Sequence, residues 1–537
     1  GEISPEMFGR ISDTKYQTGV AKMRNFIAKP QGPAENRPGF SFVKEVKDST
    51  KATRLLSFTF NTTQTMVIEM GDQYFRFHTQ GLTLQYSAGA AYNGSTNYSI
   101  GAIASSGGNN YYSRTGGSGR ALSNATHWYL LPADLTYEIP SPFLEAELFD
   151  VHYVQSADII TMVHPNHAPR ELKRFGATNW QLETINFGTP IAAPGGVSAS
   201  RTIPSSSNTD SDTYETHRYK VTAVLADLIS ESAGSSTASV NNNIYVTGAR
   251  NNISWNSRAG ASRYRVYKEQ GGIYGFIGET TSTSLTDNNI GPDFSRTPPI
   301  FENEFNNTNN FPGAVSYFEQ RRVFAGTNNE PQSIFMTKSG TESNLSFGLP
   351  IRDDDRVKFK VAAREANTIR HIVPLTQLVL LTGSAEWRVS SINNDAITPS
   401  SISVKPQSYV GANNAQPVIV NNSMVYAAAR GGHIRELGYN WQANGFITGD
   451  LSLRAPHLFD NLTISDMALS KSPIPIVYFV SSSGKLIGLT YVPEQSIGAW
   501  HQHDTDGTFE SIATVSEGND DVLYAVVKRT INGNSVR

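Results

Sequence analysis

The 537-residue chain has no cysteine. That removes disulfides, thiolate metal sites and cysteine nucleophiles together, so the fold must be held by burial and strand pairing. It has no apolar run near the roughly 20 residues of a membrane helix, so no membrane-spanning segment is expected. The opening Gly1-Glu-Ile-Ser-Pro-Glu-Met-Phe8 lacks a basic stretch followed by an apolar core, and so does not read as a signal peptide. Because residue 1 is not Met, the chain is expected to start after processing or inside a longer product. Charge is scarce, with 17% charged residues. Lys+Arg 44 against Asp+Glu 47 gives a net −3. A near-neutral chain argues against sequence-independent nucleic-acid binding by bulk charge, although a basic patch can hide in the average. No Gly-x-Ser-x-Gly elbow, phosphate-binding loop or His-Glu-x-x-His pair occurs.

What is present is turn-forming residues and β-branched or aromatic runs. The 44 glycines, with abundant Ser and Asn, suit a β protein with many turns. One unit recurs: an apolar strand, a Gly/Ser/Asn turn and a second strand. Copies read Phe318-Glu-Gln-Arg-Arg-Val-Phe-Ala-Gly326, Leu378-Val-Leu-Leu-Thr382, Met424-Val-Tyr-Ala-Ala-Ala429, Ile476-Val-Tyr-Phe-Val480 and Val522-Leu-Tyr-Ala-Val-Val-Lys528. With the first copy counted from Arg322, their starts lie about 46 to 56 residues apart, the period of four-stranded propeller blades. Two earlier copies lie near Met66-Val-Ile-Glu-Met70 and Ile159-Ile-Thr-Met-Val163. Seven units predict an all-β chain built on a closed β-propeller of about six to eight blades, since closure removes sheet edges.

The order along the chain follows. Residues 1–45 read as an extended arm, because Lys29-Pro-Gln-Gly-Pro-Ala-Glu-Asn-Arg-Pro-Gly39 excludes helix and central strand. Such an arm gains order only by lying on something else. Residues 46–189 form a first propeller part. It is interrupted at 86–126 by a Gly/Ser/Asn-rich stretch expected to protrude as an irregular insertion. Leu144-Glu-Ala-Glu-Leu-Phe-Asp150 is the best short helix candidate of this half. Residues 190–300 differ in pattern: strand runs at roughly ten-residue spacing around one Trp, as in Asn252-Ile-Ser-Trp255 and Arg263-Tyr-Arg-Val-Tyr-Lys268. They resemble a fibronectin type III β-sandwich of the immunoglobulin-like kind, inserted between blades. Residues 301–537 form the second propeller part, and the last hairpin is expected to lack its return strand.

The ionisable clusters predict little chemistry. His164 and His167 flank a Pro-containing turn with no third ligand close in sequence, so a hairpin tip is expected rather than a metal site. His501, His503 and Asp504-Thr-Asp-Gly507 faintly resemble the start of a calcium loop, but the twelfth position, Val515, is not acidic. Asp353-Asp-Asp355 points its carboxylates different ways and reads as a solvated loop with local ion pairs rather than a glycosidase pair. Glu145 and Glu147 are expected at the surface. No catalytic, cofactor-binding or metal residue is assigned, and no enzyme is expected.

Several stretches together carry a resemblance. They are Gly1–Arg10, Asn25-Phe-Ile-Ala-Lys-Pro-Gln-Gly32, Asn36-Arg-Pro-Gly-Phe40, Leu144–Asp158, His164-Pro165, Pro169-Arg-Glu-Leu172, Phe318-Glu-Gln-Arg-Arg322, Phe335-Met-Thr337 and Asn344-Leu-Ser-Phe347. In combination the chain resembles the tail nozzle proteins of short-tailed bacteriophages, also called tail tubular protein B, over most of its length outside the two insertions. The resemblance implies a virion tail protein assembled in the host cytoplasm. It implies a homohexameric ring below the portal and head-to-tail adaptor, contacts with tail fibres or spikes, and double-stranded DNA only as transient passing cargo. The alternative is a phage propeller that binds or depolymerises host polysaccharide, suggested by aromatic-bearing loops at Asn97-Tyr-Ser99 and Tyr111-Tyr112.

Overall fold

A computed structural model describes residues 1–61, 64–204, 211–362, 367–393 and 396–537. The chain is all-β, and its main body is a succession of antiparallel sheets. The first sheet takes Arg54–Asn61, Gln64–Gly71 and Tyr74–Thr79, and gains Glu138–Pro140 after a long excursion. Five more four-stranded sheets follow over 152–184, 314–360, 369–408, 418–450 and 464–503, each an up-and-down meander. A seventh, three-stranded sheet covers 508–536.

Neighbouring sheets share hydrophobic cores, and following these cores leads round a closed circle. Phe77 and Trp180 join the first sheet to the second, Val163 and Phe324 the second to the third, and Ile334 and Leu380 the third to the fourth. Leu381 and Tyr426 join fourth to fifth, Ala427 and Phe479 fifth to sixth, and Tyr478 and Ile512 sixth to seventh. Val526 and Val67 then join the seventh sheet back to the first. This closure makes the body a β-propeller.

It also explains the apolar runs. In Leu378–Thr382, Leu378 and Leu380 pack toward the third sheet while Val379 and Leu381 pack toward the fifth. A strand alternates faces with a period of two, so a sheet buried on both sides needs apolar residues at every position. Each such Leu, Val or Phe contributes about 1.5–3 kcal/mol when fully buried. All seven recurring units of the sequence become the second strand of a sheet, an interior strand with neighbours on both edges.

Other expectations meet a different outcome. Residues 86–126 do not form an irregular protrusion. Ala90–Ala91, Ile103–Ser106 and Asn109–Ser113 pair with Trp128–Leu130 in a small sheet of their own. Tyr112 is buried in the core of the first two sheets and donates to the Trp180 carbonyl at 2.8 Å. Tyr92 and Tyr98 stack on each other and Trp128 meets both edge-on, forming one aromatic group. The Leu144–Asp150 stretch is helical only as a single 3-10 segment, Glu145–Asp150. The last hairpin does have a short return strand, Asn534–Val536.

Between the second and third sheets, residues 190–300 form two sheets enclosing a separate core. Ser198–Thr202, Arg250–Ser254 and Ser284–Asp287 make one, and Glu215–Val224, Ala238–Asn242, Arg263–Gln270 and Ile273–Thr280 the other. Tyr219, Val221, Ile253, Trp255 and Val266 fill the space between them.

The arm lies on the body. Glu2 and Asn25 donate backbone N–H groups to the carbonyls of Trp500 and Gln502, and Gln502 returns one to Met23. The arm thus extends the outer edge of the sixth sheet. The Glu2 carboxylate, 3% exposed, accepts from the Met23 N–H at 2.8 Å, Gln502 Nε2 at 2.8 Å and His457 Nε2 at 2.9 Å.

Candidate functional site

In five of the seven neighbouring pairs of sheets the first strands pack against each other, so these strands line the inside of the ring. Their polar residues meet there. Arg54 of the first sheet, 3% exposed, donates to the carbonyls of Leu148 at 2.9 Å and Val151 at 2.7 Å. His152 of the second sheet contacts the carbonyls of Gly313 at 2.7 Å and Asn414 at 3.2 Å. His371 of the fourth bonds the Asn413 carbonyl at 2.8 Å, and the two imidazoles meet edge to face with centroids 4.8 Å apart. Asp466 of the sixth accepts from Ser511 Oγ at 2.5 Å and the Ile512 N–H at 3.0 Å.

Burial pushes His152 down to about 4, with Arg54 adding to the effect. Burial and the neighbouring His152 push His371 well below its ordinary value. Burial raises the Asp466 carboxyl, with Arg54 opposing. Both imidazoles are therefore neutral near pH 7, and with Arg54 and Asp466 they make a buried polar group among the first strands, here called the plug. A cavity of about 490 Å³ lies beside the plug, lined by Arg54, Tyr153, Gln416, Asp466, Thr514 and Asp521 among others. Ser511 Oγ also accepts the Leu55 N–H at 2.9 Å, which ties this group to the first sheet. The sequence carried no signal for this group, because its members come from four different sheets and only the ring brings them together.

The expected sites fall elsewhere. His164 and His167 stand directly opposite each other at the mouth of a hairpin, as a tip predicts. The missing third group is nonetheless present: Glu147, on the 3-10 segment, lies within 4.8 Å of both. Its Oε2 accepts from His167 Nε2 at 2.7 Å and the Leu144 N–H at 3.0 Å, so Glu147 is not a free surface residue. Glu145 is engaged too, its Oε1 accepting from the Ala52 N–H at 2.6 Å. Burial alone would raise the Glu147 carboxyl, but the Leu144 N–H, His167 and Asn166 together hold it down to about 2.

His501 and His503 share one face of a strand, with Nδ1 and Nε2 2.7 Å apart. Burial lowers both, His503 to about 4. Asp504 faces the arm, pairing with Arg24 and accepting from Asn25 Nδ2 at 2.6 Å. Asp355 is buried rather than solvated, and it accepts from the N–H groups of Gly348 and Arg352, both at 2.9 Å. The Asp353 and Asp355 carbonyls bind the Arg321 guanidinium at 2.8 and 2.6 Å. This run builds a turn, and Asp354 pairs with Lys338 at 2.9 Å.

No known family model matches the chain, and neither does any curated protein sequence. Among solved structures, U3-55K is 10% identical at a TM-score of 0.28, covering 72% of this chain and 97% of its own. The Neurospora crassa Pan2 WD40 domain is 7% identical at 0.30, covering 72% and 86%. The RRP9 WD40 repeats are 9% identical at 0.28, covering 70% and 90%. Likeness this distant carries nothing about function.

Proposed function

We propose that the chain is a structural protein of a short-tailed phage virion, one wall segment of a tail nozzle ring through which DNA leaves. The observation that carries the reading is the arm. The stretches that open the resemblance, Gly1–Arg10 and Asn25–Gly32, are tied to the edge of the sixth sheet through the backbones of Glu2 and Asn25, with the buried Glu2 carboxylate as anchor. A stretch so fixed is part of the body, as a family signature should be. The ring interior bears on the route: Arg54, His152, His371 and Asp466 are buried within it, and the 490 Å³ cavity there is too small for a duplex. DNA would have to pass between copies, as a homohexamer below the adaptor provides, and weakly charged walls would let it slide without holding phosphates.

On the same reading the ring is a seven-bladed member of the propeller class, and 190–300 is a fibronectin III-like sandwich inserted between blades. That insertion, with the small sheet of 86–126, is offered to tail fibres or spikes.

The second reading, a polysaccharide-binding or depolymerising propeller, is favoured by Trp441 and Tyr409, 78% and 77% exposed. The aromatics that first suggested it are less apt, since Tyr98 is stacked and Tyr112 buried. Mass photometry of the purified chain with the adaptor ring, paired with electron microscopy of virions, tests the first reading. A species of six chain masses and density in the tail support it. Monomers alone together with tails lacking the protein overturn it, and release of reducing sugar from host capsule would favour the second.

A further inference from the structure

The Glu147, His164 and His167 group is the one place among the described residues where three ligand-type side chains converge. Its geometry is set by two independent elements. His164 ends one strand of the second sheet and His167 begins the next, and as an opposed pair their side chains leave the sheet on the same side, with ring centroids 5.4 Å apart. Glu147 comes from the 3-10 segment linking the first sheet to the second. Phe143, 1% exposed, stands edge-on to His167 at 5.1 Å and walls one side.

The donors suit a cation. Glu147 is held ionised by the Leu144 N–H and its neighbours. His164 is 4% exposed, and burial keeps it neutral against the pull of the Glu147 carboxylate. Its Nδ1 accepts the Asn166 N–H at 3.1 Å, while its Nε2 makes no hydrogen bond to any described residue. Asn166 Nδ2 reaches Glu147 Oε1 at 3.3 Å and closes the turn. One ligand-type atom from each of the three side chains lies within 4.8 Å of the others, so two imidazoles and a carboxylate are already gathered around one point.

We propose that Glu147, His164 and His167 form a site for a borderline divalent cation of the Zn²⁺ class. Two imidazoles and one carboxylate are a set this class takes, and hard cations such as Mg²⁺ disfavour it. Ligands around one zinc sit roughly 3.3 Å apart at bond lengths near 2.0–2.1 Å. The widest donor separation is 4.8 Å or less, so closing the site takes a shift of about 1.5 Å or less, within reach of a hairpin tip. The cation replaces the proton shared between His167 and Glu147. It also replaces the Asn166 contact: directly if His164 binds through Nδ1, or because Nδ1 must then carry the proton if it binds through Nε2. Three protein ligands leave the fourth position to water. The site would staple the inter-sheet segment whose Leu148 carbonyl also holds Arg54 at the axis.

The test is calorimetric titration of the chelator-treated full chain with Zn²⁺ near pH 7.5, with Co²⁺ absorption as a second probe. One equivalent bound, a rise in Tm, and at least tenfold weaker binding in His167→Gln and in Glu147→Gln are expected. Tetrahedral Co²⁺ bands should vanish in both variants. His164→Ala is a third variant, interpreted only if its circular dichroism matches wild type. The proposal is overturned if the folded wild-type chain binds no Zn²⁺ at millimolar concentration. Zn²⁺ binding with unchanged affinity and unchanged Co²⁺ spectrum in the first two variants overturns it equally.

Discussion

The plug at the ring axis makes the fold acid-sensitive in a way that can be worked out from His152. Its folded value is about 4, set first by burial and then by Arg54, whereas an unfolded histidine titrates near 6.5. The folded value is the lower one, so the unfolded state binds more protons between these limits. Stability is therefore fully present above about pH 6.5 and is lost as pH falls toward 4. At pH 5 the loss from this one group is about 2 kcal/mol, and it approaches about 3 kcal/mol at pH 4. For a native state worth about 5–15 kcal/mol that is a large share. The measurement is urea unfolding followed by tryptophan fluorescence at pH 7 and pH 5. It is run on the wild-type chain and on His152→Gln, which keeps a donor for the Gly313 carbonyl but cannot titrate. Wild type should lose stability on acidification, and the variant, whatever its own stability at pH 7, should lose about 2 kcal/mol less. His371 and His503 are lowered too and titrate in the same direction, so some acid sensitivity remains in the variant. An equal loss in both proteins would mean that His152 is not held neutral by burial, and the reading of the plug would fail.

Three further outcomes follow from packing and anchoring. Glu2→Ala should cost about 1–3 kcal/mol by leaving the Met23 N–H and Gln502 amide without their acceptor; hydrogen exchange should rise over residues 1–40 while the ring strands stay protected. Gly488→Ala should destabilise by about 1–3 kcal/mol, because an added Cβ would lie 2.0 Å from His501 Cε1; combining it with His501→Ala should recover part of that loss in a double-mutant cycle of Tm values. Trp180→Ala should cost about 3–5 kcal/mol, since its ring stacks on Phe77 at 4.6 Å and meets Phe58 edge-on at 4.7 Å in the joint between the first two sheets; a chemical-denaturation loss under 1 kcal/mol would show that this joint does not bear on the ring.

Much of the ring was legible because its second strands are buried on both faces. A run such as Ile476-Val-Tyr-Phe-Val480 has one set of side chains in each adjoining core, Val477 and Phe479 on one side and Ile476 and Tyr478 on the other. Such runs stand out in sequence and repeat at blade spacing. First strands are harder to see: Val418–Val420 has only three residues, and the Ser403–Ser408 outer strand is mostly half-exposed. The small sheet of 86–126 escaped notice because Asn109-Asn-Tyr-Tyr-Ser113 has no polar–apolar alternation, and its stability comes from Tyr112 reaching into a core built elsewhere. The charged residues were least legible. Glu147 looks like any acidic residue in a short helical stretch, and only the return of the chain through His164 and His167 gives it partners.

The plug and the cation site meet on one segment. Residues 145–151 link the first sheet to the second; their Leu148 and Val151 carbonyls hold Arg54 at the axis, and their Glu147 holds the hairpin of the second sheet. Asn414, from the loop before the fifth sheet, bonds Asp150 of the same segment and, through its own carbonyl, His152. One short segment thus ties the first, second and fifth sheets together across the axis. A buried charge such as Arg54 is costly unless its partners are fixed in place, so whatever fixes this segment also stabilises the plug. A cation at Glu147 should therefore make the axis harder to open: adding Zn²⁺ should slow hydrogen exchange at the Leu148 and Val151 region and at the Leu55–Phe58 strand, not only at the hairpin tip. Slowing confined to residues near His164 and His167 would separate the two features and leave the plug dependent on sheet packing alone.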